Sequence, residues 1–188
     1  MKSALSLARE EIKQLKPCIH GGEIWDIIGK RALSSDKVYD FSSNVNPLGP
    51  SPKAIEAIKN SLELISSYPD PDSTNLRDAI SRCFKGIRRE NVIVGNGSTE
   101  LIYLFADAFM GKGDVALIPV PTFGEYEKAV RKTGAHPKLV KLGPNFKAEP
   151  PIFIREMKGA KAVFICNPNN PTSMLMSRDD VAEIVKEA

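Results

Sequence analysis

From residue 92 onward, short apolar runs alternate with segments of helical periodicity, and this alternation constrains the fold more than any other feature of the chain. Residues 92–94, 115–118, 136–140 and 162–166 read as strands, while residues 99–109, 123–132, 152–157 and Arg178–Glu187 read as helices. Strands interleaved with helices in this way pack as a sheet with helices on its faces, an α/β architecture. No internal repeat or low-complexity segment interrupts the pattern.

Upstream the rhythm differs. Leu5, Ala8, Ile12 and Leu15 recur at helical spacing over residues 3–15, and Pro17 stops the helix they predict. After His20-Gly21-Gly22, the residues Ile24, Trp25, Ile27 and Ile28 predict a short helix, followed by an extended run at 38–41. Prolines and a glycine crowd residues 47–52, so the stretch from 42 to 52 reads as a loop. Pro52 suits the first turn of a helix, which Ile55, Ile58, Leu62 and Ile65 continue to the break at Tyr68-Pro69-Asp70-Pro71. A further helix is expected over 74–84.

At 188 residues the chain can hold one domain with a sizeable core, and 26 basic against 23 acidic side chains leave a net charge of +3. That balance, with no long block of one sign, gives no nucleic-acid footprint. Cys18, Cys83 and Cys166 match neither a disulfide framework nor a zinc site, and are expected as reduced thiols. Residues 1–16 carry charges at every turn, unlike a signal peptide, and no apolar run reaches membrane-spanning length. A soluble cytoplasmic protein is expected.

Three segments could carry chemistry. Gly95-Asn96-Gly97-Ser98-Thr99-Glu100 joins an expected strand to an expected helix. The first amides of a helix point outward with partial positive charge, and Ser98 and Thr99 add hydroxyl donors, so the junction suits a phosphate. It suits a plain tight turn equally well. The third glycine of the dinucleotide fingerprint is missing and no Walker lysine follows, which argues against a nucleotide-binding oxidoreductase. Phe164-Ile165-Cys166-Asn167-Pro168-Asn169-Asn170-Pro171-Thr172-Ser173 leaves the carboxyl end of an expected strand, where ligands of open α/β sheets bind. Its three asparagines form a row of amide donors or an ordinary Asn-Pro turn. Between these, Pro121-Thr122-Phe123 places an aromatic ring just past a strand, able to lie over a planar ligand or to fill core.

Taken in order, these segments resemble a known family. Asn46-Pro47-Leu48-Gly49-Pro50, Tyr68-Pro69-Asp70, Gly95 to Glu100, Pro121-Thr122-Phe123 with Tyr126, and Asn167-Pro168-Asn169-Asn170-Pro171-Thr172 are similar to the N-terminal half of fold type I pyridoxal phosphate enzymes. Within them the pattern resembles the class I/II aminotransferases, which include the histidinol-phosphate aminotransferase and threonine-phosphate decarboxylase branches. His20-Gly21-Gly22 followed by Asp40 to Pro50 is similar to the decarboxylase branch in particular. The resemblance implies a three-layer α/β/α large domain over residues 46–188, truncated, with an N-terminal arm and part of a small domain over 1–45.

The resemblance also assigns roles. It implies that Ser98 and Thr99 hold the phosphate of pyridoxal 5'-phosphate, that Phe123 stacks on its ring, and that Asn170 donates to the ring's 3-oxygen. It implies that Tyr68 reaches the phosphate of a partner subunit's cofactor in a homodimer, and that His20, Gly21 and Asn44 grip a small phosphorylated amino-acid substrate. Ser173 departs from the family's usual glycine. In the family the Schiff-base lysine, the acidic partner of the ring nitrogen and the carboxylate-binding arginine follow the Asn-Pro-Thr motif, so no catalytic lysine is expected before Ala188. The expected function is a pyridoxal-phosphate-dependent enzyme most similar to threonine-phosphate decarboxylase, of cobalamin biosynthesis, incomplete in this chain. The alternatives are a histidinol-phosphate-type aminotransferase and a non-catalytic remnant. Association with a missing C-terminal half is a further expectation. Ser34-Ser35-Asp36-Lys37 has hydrolase-like spacing but lacks its partner motifs and reads as a solvated loop.

Overall fold

The computed structural model describes residues 4–17, 21, 28–30 and 38–188. His20, Cys18 and most of the helix expected at 24–28 lie outside the described residues. The chain divides into two compact units, one formed by Met1–Cys18 with Gly95–Ala188 and the other by Ile19–Val94.

The first unit begins with two short helices, α1 (Ala4–Leu7) and α2 (Glu10–Lys13), rather than the single helix expected there. The break falls at Arg9, whose backbone is extended. Its guanidinium donates instead to the Lys132 carbonyl at 3.2 Å. The other unit contains α3 (Pro52–Lys59) and α4 (Thr74–Cys83), with a 3₁₀ turn at Leu62–Ser66 in place of the continued helix. Arg77 ties this unit's loops together, its guanidinium donating to the Asp72 carbonyl at 3.2 Å and the Arg89 carbonyl at 3.0 Å.

Beyond Gly95 the expected alternation is present: α5 (Ser98–Phe109), β1 (Val115–Val120), α6 (Glu125–Lys132), β2 (His136–Lys141), α7 (Pro150–Glu156), β3 (Ala162–Val163) and α8 (Arg178–Glu187). Pro150 occupies the first turn of α7, where a missing N–H costs nothing. Ser177 caps α8, accepting from the Asp180 amide at 3.1 Å while its own amide donates to the Asp180 carboxylate at 3.1 Å. Residues 92–94, expected as a strand, pair with no strand among the described residues, and of residues 162–166 only Ala162–Val163 pair.

Among the described residues three strands lie in the order β2-β1-β3, all parallel, with Val115 opposite His136, Val120 opposite Lys141, and Leu117 opposite Val163. Because successive residues of β1 point to opposite faces, its apolar run feeds two cores. Ala116 and Ile118 pack with Met110, Val130, Ala135 and Phe164 on one side. Leu117 packs with Phe153, Met157, Met176 and Ile184 on the other. The sheet is thus covered by α5 and α6 on one face and by α7 and α8 on the other, which is the expected three-layer order.

Candidate functional site

Parallel strands place their following loops at one edge of the sheet, and here two such loops are locked together. The loop after β1 begins Pro121-Thr122-Phe123, and the loop after β3 carries the Asn-Pro segment. Asn169, only 7% exposed, joins them. Its carboxamide oxygen accepts from the Thr122 hydroxyl at 2.7 Å, and its nitrogen donates to the Pro121 carbonyl at 3.0 Å and the Thr172 hydroxyl at 2.8 Å. Asn167 is likewise turned inward, exchanging hydrogen bonds with the main chain of Met176 at 3.3 and 2.9 Å. The three asparagines are therefore no row of donors. Asn167 and Asn169 build the loop, and only Asn170 keeps a side-chain amide without a partner among the described residues.

The main chain of Asn170 is held from below by Cys166. That thiol accepts from the Asn170 amide and donates to the Pro168 carbonyl, each at 3.4 Å. It also bonds the Tyr126 phenol; burial first, and then this bond, push the phenol up to about 12. Tyr126 lies 5.0 Å from Phe164 and meets the Phe123 ring edge-on at 5.8 Å. A continuous chain of contacts therefore links Phe123 to Asn170.

Ser173 closes the turn with φ +59, in the left-handed region, and its amide donates to the Asn169 carbonyl at 2.7 Å. A serine held there costs about 1–2 kcal/mol, and glycine's greater unfolded-state freedom returns roughly half of any relief. Ser173→Gly is expected to stabilise the chain by about 0.5–1 kcal/mol, seen as a higher urea midpoint.

Ser98 and Thr99 open α5. Tyr103, further along α5, donates to the Glu125 carboxylate at the start of α6 at 2.6 Å, which sets the first turns of α5 beside the loop after β1. Glu125 is 4% exposed and also faces the Lys128 ammonium at 3.7 Å. Gly97 precedes the helix with φ +86, and nothing lies within 4 Å of where its Cβ would stand. The Gly97 amide is already bonded to the Gly95 carbonyl at 2.9 Å, whereas Ser98 and Thr99 keep open amides and unbonded hydroxyls among the described residues. Exposed hydroxyl and amide donors at a helix start fit a phosphate group, and an aromatic ring such as Phe123 and a free amide such as that of Asn170 suit a flat ring carrying a hydroxyl.

Tyr68, Gly21 and Asn44 belong to the other unit. Tyr68 is fully exposed in a turn fixed by Asp70, whose carboxylate accepts from the Asp72 and Thr74 amides at 3.0 and 2.8 Å. Asn44 is exposed and follows a turn in which Asp40 accepts from the Ser42 amide and the Ser42 and Ser43 hydroxyls. A Cβ at Gly21 would collide with the Ser42 carbonyl. Among the described residues no cluster of side chains suits a metal ion, and no helix is long and apolar enough to cross a membrane.

Residues 36–188 match the family described as aminotransferase class I and II. The chain belongs to this family. As a class I and II aminotransferase family member it is 41% identical over 181 residues to a putative threonine-phosphate decarboxylase of Caldanaerobacter subterraneus, an alignment covering 95% of this chain and 46% of the relative. Among solved structures, the histidinol-phosphate aminotransferase of Clostridium acetobutylicum matches with a TM-score of 0.68 at 28% identity, over 79% of this chain and 43% of that one. The Sinorhizobium meliloti histidinol-phosphate aminotransferase, solved with pyridoxal-5'-phosphate, shares the fold with a TM-score of 0.72 at 19% identity, over 77% and 40%. The family member thus has the fold type I architecture, and the family is pyridoxal-phosphate-dependent. The chain spans about half the length of the curated relatives it matches.

Sequence reasoning passed over Asn169, Cys166 and Tyr126 as working parts of the site. The available signal was the two-residue spacing of Asn167 and Asn169, which turn the same way, with Asn170 offset by one.

Proposed function

We propose that this chain forms the cofactor-binding part of a pyridoxal-phosphate-dependent enzyme that acts, in the cytoplasm, on a small phosphorylated amino acid in the manner of threonine-phosphate decarboxylase. The observation that carries the reading is the locked pair of loops after β1 and β3, which leaves the Asn170 amide unengaged among the described residues, together with the open amides at the start of α5. Ser98 and Thr99 hold the cofactor phosphate by hydroxyl and amide donation. Phe123 covers the ring, and Asn170 donates to its 3-oxygen. When bound, pyridoxal phosphate supplies an electron sink for a bond broken at the substrate's α-carbon. Tyr68 serves the phosphate of a partner subunit's cofactor in a homodimer, and His20, Gly21 and Asn44 bind the substrate.

The decarboxylase branch is favoured by the 41% identity to a protein of that name. The aminotransferase alternative is supported by relatives named histidinol-phosphate aminotransferase at 33% and 34% identity. Full-length enzyme carrying this segment decides between them, by release of carbon dioxide from threonine phosphate against amino transfer from histidinol phosphate. The cofactor reading is tested on the chain itself by equilibrium dialysis with pyridoxal phosphate. Binding is expected, and the Ser98→Ala, Thr99→Ala double variant is expected to weaken it at least tenfold. No binding, or binding unchanged by the double variant, overturns the reading.

A further inference from the structure

Glu100 presents a puzzle at the phosphate end of the site. It sits in the first turn of α5, one residue beyond Thr99, so its charge opposes any anion bound there. Acidic residues favour a helix N-terminus, but not one that is to receive a phosphate. The geometry gives the carboxylate a different occupation. Its Oε2 accepts from the Asn96 main-chain amide at 2.5 Å and from the Asn96 carboxamide at 3.3 Å.

The preceding glycine completes the arrangement. A Cβ built on Gly95 would stand 2.7 Å from Glu100 Oε2 and within 3.1 Å of the Leu101 side chain. Gly95 is therefore the notch into which the carboxylate folds. Its φ is not in the left-handed region, so a side chain there would act by pushing the Glu100 carboxylate and the Leu101 side chain aside and not by straining the backbone. With Asn96 pinned by Glu100, and the Gly97 amide bonded to the Gly95 carbonyl, two of the turn's amides are taken up internally. The next amides, those of Ser98 and Thr99, are left facing outward.

We propose that Glu100 is a positioning residue, whose carboxylate, seated over Gly95, holds the Gly95–Gly97 turn so that the Ser98 and Thr99 donors meet the cofactor phosphate. This rests on the cofactor reading above and adds a residue to it. Its force lies in the sign of the effect. Charge alone predicts that removing a carboxylate beside an anion site tightens anion binding. The clamp predicts that it loosens it.

The test is binding of pyridoxal phosphate, with inorganic phosphate as competitor, to the full chain and to Glu100→Ala, Glu100→Gln and Gly95→Ala. Glu100→Ala is expected to weaken pyridoxal phosphate about tenfold, and Glu100→Gln, which keeps an acceptor for the Asn96 amide, to stay within about threefold of the unsubstituted chain. Gly95→Ala displaces the carboxylate, so it weakens binding as Glu100→Ala does, and the two changes combined cost little more than either alone. Hydrogen exchange at the Asn96 amide, measured without cofactor, accelerates in Glu100→Ala and Gly95→Ala by more than the fall in urea midpoint accounts for. Equal or tighter binding by Glu100→Ala, or additive effects of the two changes, overturns the clamp. Absence of binding by the unsubstituted chain overturns the cofactor reading instead, and exchange at Asn96 then decides the clamp by itself.

Discussion

Replacing Asn169 with alanine lowers the free energy of unfolding by about 2–4 kcal/mol, measured as a fall in the urea midpoint at unchanged slope. The magnitude follows from what the side chain does. A buried carboxamide makes three hydrogen bonds, to Thr122, Pro121 and Thr172, and each contributes about 0.5–1.5 kcal/mol net. Truncation also leaves the Pro121 carbonyl facing a small void. Asn169→Leu separates hydrogen bonding from volume, since it fills the space without answering the polar groups, and is expected to be at least as destabilising as alanine. Asn169→Asp retains the acceptor for Thr122 but forfeits the donation to Pro121. A midpoint for Asn169→Ala within experimental error of the unsubstituted chain would show that the two loops hold together without this residue.

Leu117→Ala is expected to cost more, about 3–5 kcal/mol, by the same measurement. Leu117 is 1% exposed at the centre of the middle strand, with Lys138 opposite it in β2 and Val163 opposite it in β3. Its side chain lies among Phe153, Met157, Met176 and Ile184, which come from α7 and the residue that ends it, from the loop before α8 and from α8. Backbone pairing on both sides keeps the strand from sinking into the cavity, so the void persists and the site collapses little. Leu117→Met conserves volume and should cost less than about 1.5 kcal/mol. An alanine variant that loses under 1 kcal/mol would mean that the face of the sheet covered by α7 and α8 is loosely packed.

The sheet and its helices were legible because each apolar run of the second half has one dominant period. Residues 178–187 are helical at the expected bounds because Ser177 and Asp180 announce the start at three-residue spacing. Residues 92–94 were misread for a reason that periodicity cannot detect: a run of valine and isoleucine has the propensity for a strand, but a strand exists only where a neighbour supplies a ladder. Residues 162–166 were overextended because, past the Phe164 amide's bond to the Leu117 carbonyl at 3.0 Å, the apolar Phe164 and Cys166 side chains serve the core and the Asn170 turn and do not mark further ladder. In the site, the family pattern pointed to Phe123 and Asn170, yet three identical asparagines could not disclose which amides were engaged. The answer lies in Thr122, 47 residues from Asn169, and no local pattern carries information across that distance.

That same separation orders the events of folding. The Tyr103–Glu125 bond closes a segment of 22 residues, whereas Thr122–Asn169 closes one of 47. Each doubling of a loop adds only about 0.6 kcal/mol to the entropy of closure, so the difference bears on sequence more than on stability. Contacts of short span form first and long ones wait for them. The loops after β1 and β3 are therefore joined late, after α5, β1 and α6 have come together, and a chain emerging during synthesis carries the open amides of α5 before those two loops are locked to one another.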